Sequence, residues 1–181
     1  VPDATMGDIW GEVSACKKVT ERLHDLLDET EVSFATLSQD IRDRTESAMR
    51  EAILAVPDGR YSYEVEHDGF EAKILIRCAI NIEKANMNID FTGTSSQLPR
   101  SVNVVPNYTA AYTIYGIKAL LCPDIPNNEG SSAPIQIYAP EGSILNPRRP
   151  LETSSSIKVM LPTVVLTGFS GTSAVRTSGQ T

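Results

Sequence analysis

The sequence predicts an α+β fold: a long helical hairpin packed on an antiparallel sheet, followed by a further helix and proline-rich loops. Three observations lead there. Apolar residues recur every three or four positions from Gly7 to Val56, then alternate one-in-two from Tyr61 to Phe91. Beyond Phe91 the chain becomes rich in threonine, serine, glycine, asparagine and proline.

The first helix is predicted over Gly7 to Asp28, where Ile9, Val13, Cys16, Val19, Leu23, Leu26 and Leu27 form one stripe between charged residues. Its charges form no evident ion-pair ladder, and its polar face reads as simply solvated. A second helix runs from Ser33, whose hydroxyl suits an N-cap, to Val56. Its stripe is Phe34, Leu37, Ile41, Ala48, Ala52, Ile53 and Val56. The short connection at 29–32 predicts an antiparallel hairpin, and Pro57-Asp58-Gly59 ends the second helix.

Strands follow. Tyr61, Tyr63 and Val65 share one side of a short strand, and Ile74, Ile76, Cys78, Ile80 and Ile82 one side of a longer one. Met87, Ile89 and Phe91 continue the alternation after a turn at 83–86. Lys73, Leu75, Arg77, Ala79 and Asn81, on the opposite side, are mixed in character, so one sheet face is expected to be buried and the other at least partly wet. A three-stranded antiparallel meander covered by the hairpin is the simplest arrangement. A third helix is predicted from Tyr108 to Leu121, stopped by Pro123, and a short strand over Ile135 to Tyr138 within a proline-dense segment ending at Pro150.

At 181 residues the chain suits one domain or part of a larger one, with 41% hydrophobic and 22% charged residues, as in ordinary globular proteins. The net charge of -7 offers no general field for nucleic acid or anionic lipid. No stretch approaches the roughly 20 apolar residues of a membrane span. Val1 to Asp8 lack the basic start and apolar run of an export signal, so a cytoplasmic location is expected. Cys16, Cys78 and Cys122 are odd in number and far apart, which fits free thiols in a reducing compartment. Cys16 and Cys78 fall in phase with apolar neighbours, where a thiol packs as a small buried hydrophobe.

Two clusters could carry chemistry. In the first, a strand ends in Asp90 and a hydroxyl-rich turn with Thr92, Gly93, Thr94 and Ser95, which could present hydroxyls and backbone N–H groups to an anion or a carbonyl oxygen. The alternative, favoured by the residues alone, is that these groups satisfy their own turn. The second is Asp124 to Gly130, where Asn127, Asn128 and Glu129 stand in one loop after a helix. Paired carboxylates can divide acid and base work or bind a divalent cation, but the loop lacks the alternating spacing of a calcium site, and a capped turn is the simpler assignment. His24 and His67 have no partner at a metal-ligand spacing. No nucleophile elbow and no lysine-bearing phosphate loop is present, so no metal site and no self-contained hydrolase or ATPase is expected in this stretch.

The order of several short motifs resembles the hydantoinase B/oxoprolinase family. These are Gly7-Asp8-Ile9-Trp10 through Glu21-Arg22-Leu23, Pro57 to Tyr61, Asp90 to Gln97, Asn103 with the helix after it, Pro123 to Gly130, and Pro140 to Pro147. The resemblance covers Gly7 to Pro150 and implies a fragment, 1–150, of a domain that works with an A-type (hydantoinase A) subunit or domain in a hetero-oligomer. It implies hydrolysis of a small cyclic amide such as hydantoin or 5-oxoproline, with ATP used through the A-type partner to activate the carbonyl. The acetone and acetophenone carboxylase branch is the alternative activity, and a non-catalytic assembly module the alternative role. No catalytic residue is assigned by the resemblance, and the candidates stay those of the two clusters, Asp90, Thr92, Thr94, Ser95, Asn127, Asn128 and Glu129. The family's N-terminal stretch associated with a divalent metal has no counterpart here. Residues 151–181 replace the expected basic, glycine-rich continuation with a serine- and threonine-rich tail. That tail is expected to be poorly ordered, as in a truncated or frame-shifted reading, and the isolated chain is expected to be inactive.

Overall fold

The computed structural model describes residues 2–29, 33–69 and 72–148. The tail 151–181, expected to be poorly ordered, lies outside these. Two compact units divide the chain, 1–41 and 42–181.

The first unit holds helix α1 (Pro2–Glu29) and the beginning of α2 (Phe34–Leu54). α1 starts earlier than the apolar stripe alone predicts. That stripe is largely uncovered: Ile9 is 45% and Val19 67% exposed, and Cys16, expected to be buried, is exposed as well. Amphipathic spacing specifies which residues share a helix face, and burial needs a second surface that spacing does not supply. The polar side carries two ion pairs that the charge pattern did not lead one to expect, Lys18 with Glu21 at 2.8 Å and Arg22 with Asp25 at 3.7 Å. Both are solvent-exposed and worth little.

The second unit is built on a four-stranded sheet in the order β1 (Gly59–His67), β2 (Ile74–Glu83), β3 (Asn86–Asp90) and β4 (Ile135–Tyr138). β1, β2 and β3 form the expected antiparallel meander, with Tyr63 opposite Cys78 and Ala79 opposite Asp90. β4 then joins β3 in parallel, Met87 opposite Ile135 and Asp90 opposite Tyr138, so the sheet is mixed. A parallel neighbour needs a long crossover, and the segment between Asp90 and Ile135, containing α3 (Pro106–Leu121), provides it.

The alternation of β2 sorts the sheet into a dry and a wet face. Ile74, Ile76, Cys78, Ile80 and Ile82 are buried, as are Met87 and Ile89 on β3 and Ile135 on β4. Met49 and Ile53 from the second half of α2, Ile117 from α3, and Phe91, Val104, Ile144 and Leu145 from the loops complete one core. Each such side chain contributes roughly 1.5–3 kcal/mol by leaving water. Arg50 fastens α2 to the β2–β3 turn, donating to the carbonyl of Ala85 at 3.2 Å and to Asn86 Oδ1 at 2.9 Å.

The loops expected after Phe91 are ordered by side-chain-to-backbone bonds. Asn103, fully buried, accepts from Leu98 N–H at 3.0 Å and donates to the carbonyls of Leu98 and Arg100 at 2.8 and 3.0 Å. Thr109 on α3 donates to the carbonyl of Leu145 at 2.8 Å, and Asn146 to that of Ala139 at 2.9 Å. These bonds satisfy backbone groups that a buried irregular path would otherwise leave without partners.

Candidate functional site

Asp90 ends β3 on the wet face of the sheet. Its Oδ1 accepts from the backbone N–H of Thr92 at 2.8 Å and from the Thr92 hydroxyl at 2.6 Å. Phe91, wholly buried, anchors the turn, and its N–H donates to the Tyr138 carbonyl at 2.9 Å. Thr94 N–H returns to the Phe91 carbonyl at 3.1 Å, with Gly93 between them at φ +91°, a conformation that favours glycine.

The two hydroxyls that follow have a different task. Thr94 Oγ1 accepts from Arg77 N–H at 3.1 Å and donates to the Arg77 carbonyl at 3.2 Å. Ser95 N–H donates to the Leu75 carbonyl, and its Oγ accepts from Leu75 N–H, both at 2.9 Å. Both residues therefore complete the edge of β2 where β3 no longer runs beside it. The local-bonding alternative describes Asp90 and Thr92, which bond to each other within the turn, whereas the hydroxyls of Thr94 and Ser95 are committed to β2 and not to their own turn.

Asp90 and Thr92 line an open cleft of about 670 Å³ on the wet face, together with Arg60, Ser62 and Glu64 of β1 and Arg77 and Ala79 of β2. Arg77 holds Glu64 through Nε at 3.0 Å and Nη2 at 2.7 Å. Among the described residues Arg60 has no carboxylate partner. The cleft thus offers two guanidinium groups, two carboxylates and two hydroxyls, a lining suited to a small polar ligand carrying both donors and acceptors. Sequence reasoning did not single out Arg60, Ser62 or Glu64. The available signal was their phase, since they occupy the alternate positions to Tyr61, Tyr63 and Val65.

Cys78 lies on the opposite, dry face, and its thiol is pushed up to about 12, mainly by burial and further by the negative charge of Asp90. It stays protonated at neutral pH and is no nucleophile.

The second cluster is elsewhere. Asn128 is the N-cap of a four-residue helix, α4 (Glu129–Ser132), where the sequence suggested only a turn. Its side chain accepts from the N–H groups of Gly130 at 2.9 Å and Ser131 at 3.4 Å. Its amide donates to the buried Thr45 hydroxyl of α2 at 2.9 Å. Asn127 and Glu129 are exposed. α4 leads into β4 at the Ile135 end, beside Met87, whereas Asp90 sits beside Tyr138. Three residues of strand, about 10 Å, separate the two ends, so the fold does not bring the clusters together.

His24 is exposed on α1, and His67 is the exposed last residue of β1, with Nδ1 at 2.7 Å from the Asp68 carbonyl oxygen. Among the described residues no three of histidine, cysteine, aspartate and glutamate gather closely enough to hold a metal ion. Among them, too, no helix is long and apolar enough to cross a membrane.

An α+β unit with motif-bearing loops between β3 and β4 defines a class that comparison with known sequences makes specific. The chain belongs to the hydantoinase B/oxoprolinase family, whose sequence profile matches residues 1–179. It is 30% identical over 158 residues to an uncharacterized protein of Methanocaldococcus jannaschii, covering 85% of this chain and 27% of that protein. It is 26% identical over 167 residues to the B-type subunit of a putative D-/L-hydantoinase from a Pseudomonas strain, covering 84% of this chain and 28% of the relative. The chain therefore spans little more than a quarter of the length of these curated relatives. Among solved structures it is similar to the ATP-dependent caprolactamase of Pseudomonas jessenii, with a TM-score of 0.79 at 22% identity over 91% of this chain and 30% of that one, a likeness of fold.

Proposed function

We propose that the chain is part of the B-type component of an ATP-dependent cyclic-amide hydrolase acting on hydantoin-like or 5-oxoproline-like rings in the cytoplasm, in complex with an A-type partner. The observation that carries this reading is the family match across residues 1–179. ATP, bound through the A-type partner, would supply the phosphoryl group that activates the ring carbonyl toward water.

This chain's own residues would hold the ring. Asp90, one oxygen engaged by Thr92, keeps a carboxylate edge for a ring N–H, and Arg60 and Ser62 across the cleft donate to carbonyl oxygens. Thr94, Ser95 and Asn128, among the candidates, act through the backbone they hold, as positioning residues.

The test is substrate-dependent ATP hydrolysis by the full-length protein with its A-type partner. Turnover with hydantoin or 5-oxoproline supports the proposal, and none with any cyclic amide defeats it. Turnover that instead requires bicarbonate and a ketone assigns the carboxylase branch. The internal bonding of Thr94, Ser95 and Asn128 favours one second reading, a non-catalytic assembly module. Alanine at Asp90, Thr94, Asn128 and Glu129 separates the two: unchanged turnover with weakened assembly supports the module.

A further inference from the structure

β1 is an edge strand of nine residues, paired to β2 along its whole length from Gly59 opposite Ile82 to His67 opposite Ile74, without a bulge. It contains no proline and no lysine, two of the features by which proteins commonly blunt an exposed edge.

The direction of its backbone groups follows from β2. Leu75 and Arg77 turn their N–H and carbonyl groups toward Ser95 and Thr94, away from β1. In an antiparallel pair these directions alternate, so Ile74, Ile76, Cys78, Ile80 and Ile82 face β1 and bond with His67, Val65, Tyr63, Tyr61 and Gly59. The intervening residues, Arg60, Ser62, Glu64 and Glu66, therefore direct their N–H and carbonyl groups outward. Among the described residues no strand covers that edge.

We propose that this edge pairs antiparallel with β1 of a second copy, centred on Tyr63, so that one sheet runs through two chains. Centring on Tyr63 sets Arg60 opposite Glu66 of the second copy and Ser62 opposite Glu64, and engages all four outward-facing residues on each side. Two-fold symmetry repeats both pairs. A shift by two residues one way sets Glu64 against Glu64. A shift the other way sets Glu66 against Asp58. Either shift also sets one outward-facing residue of each copy opposite a residue beyond β1, so the Tyr63 register pairs the most backbone.

The guanidinium of Arg60 faces a carboxylate held by Lys73 through Oε2 at 2.6 Å, whose other oxygen is available to it. On the opposite face Tyr61 meets Val65 and Tyr63 meets Tyr63, pairings of the kind that stabilise antiparallel strands. These half-buried side chains lose further exposure.

Sedimentation equilibrium of the 181-residue chain tests the proposal, the expected result being twice the mass of the 19.7 kDa chain. Ser62→Pro removes an outward N–H that has no partner among the described residues. An edge strand tolerates that change, so circular dichroism should be preserved while the dimer is lost. Arg60→Glu and Glu66→Arg should each weaken association about tenfold, and the double swap should restore it. If Ser62→Pro fails to fold, the charge swap decides alone. A monomer at about 100 μM, above the dissociation constants of micromolar complexes, overturns the proposal. So does a dimer indifferent to all these changes, or one lost only on Trp10→Asp in α1.

Discussion

The Asp90–Ser95 turn and the Asn128–Ser131 turn look alike as sequence: each follows a regular element and joins a carboxylate, hydroxyl or amide side chains and a glycine. Their surroundings separate them. The first lies along the wet face of the sheet, where Asp90 and Thr92 reach an open cleft. The second is turned inward, with Gly130 and Ser131 buried and Asn128 tied to Thr45. Polar residues in a turn are thus available to a ligand only when the backbone they must satisfy lies to one side of them. Asn128 has unpaired helix N–H groups directly ahead of it.

The sharpest way to break this contrast is a methyl group at each glycine. At Gly130 a Cβ would collide with the carbonyl oxygen of Arg42, a backbone atom of α2 that cannot step aside. Gly130→Ala should lower stability by about 3 kcal/mol in denaturant unfolding, the upper range for overpacking. Asn128→Ala removes the cap and the bond to Thr45 and should cost about 1–2 kcal/mol by the same measurement. Gly93→Ala places a residue at positive φ, but its Cβ meets only the movable end of Arg77, at 2.9 Å from Nη1. About 1 kcal/mol is expected, together with a displaced Arg77–Glu64 pair visible by NMR of the arginine side chains. Asp90→Asn keeps an acceptor for Thr92 and should change stability by less than about 1 kcal/mol. In the full-length complex it should nevertheless reduce turnover at least tenfold, about 1.4 kcal/mol of transition-state stabilisation. Equal turnover would remove the cleft from the proposed mechanism.

Much of the fold was legible because its signals are local. The three-to-four spacing that runs through Ala52 and Ile53, and the strict alternation from Ile74 to Ile82, assign helix, strand and much of the buried face from a few neighbouring residues, although Met49, fully buried, lies outside the predicted stripe. The strand at Ile135–Tyr138 was legible as well, while its parallel place beside β3 was not, since that pairing joins positions more than forty residues apart. The candidate site divides in the same way. Asp90 and Thr92 announced themselves as a polar turn. Arg60, Ser62 and Glu64 acquire meaning only once β1 lies beside β2.

The sequence by itself determined the three long helices and the four strands, the dry face of the sheet and, through the order of its motifs, membership of the hydantoinase B/oxoprolinase family. Periodicity is written residue by residue, and a side chain's direction follows from its position in the period. Only the tertiary structure decided which polar groups are already committed. Thr94, Ser95 and Asn128 bond to backbone or side chains on other elements, Asp90 and Thr92 face the open cleft, and the stripe of α1 stays exposed. Whether a polar group is satisfied, or an apolar one covered, depends on what the fold sets against it, and that neighbour is usually distant in sequence.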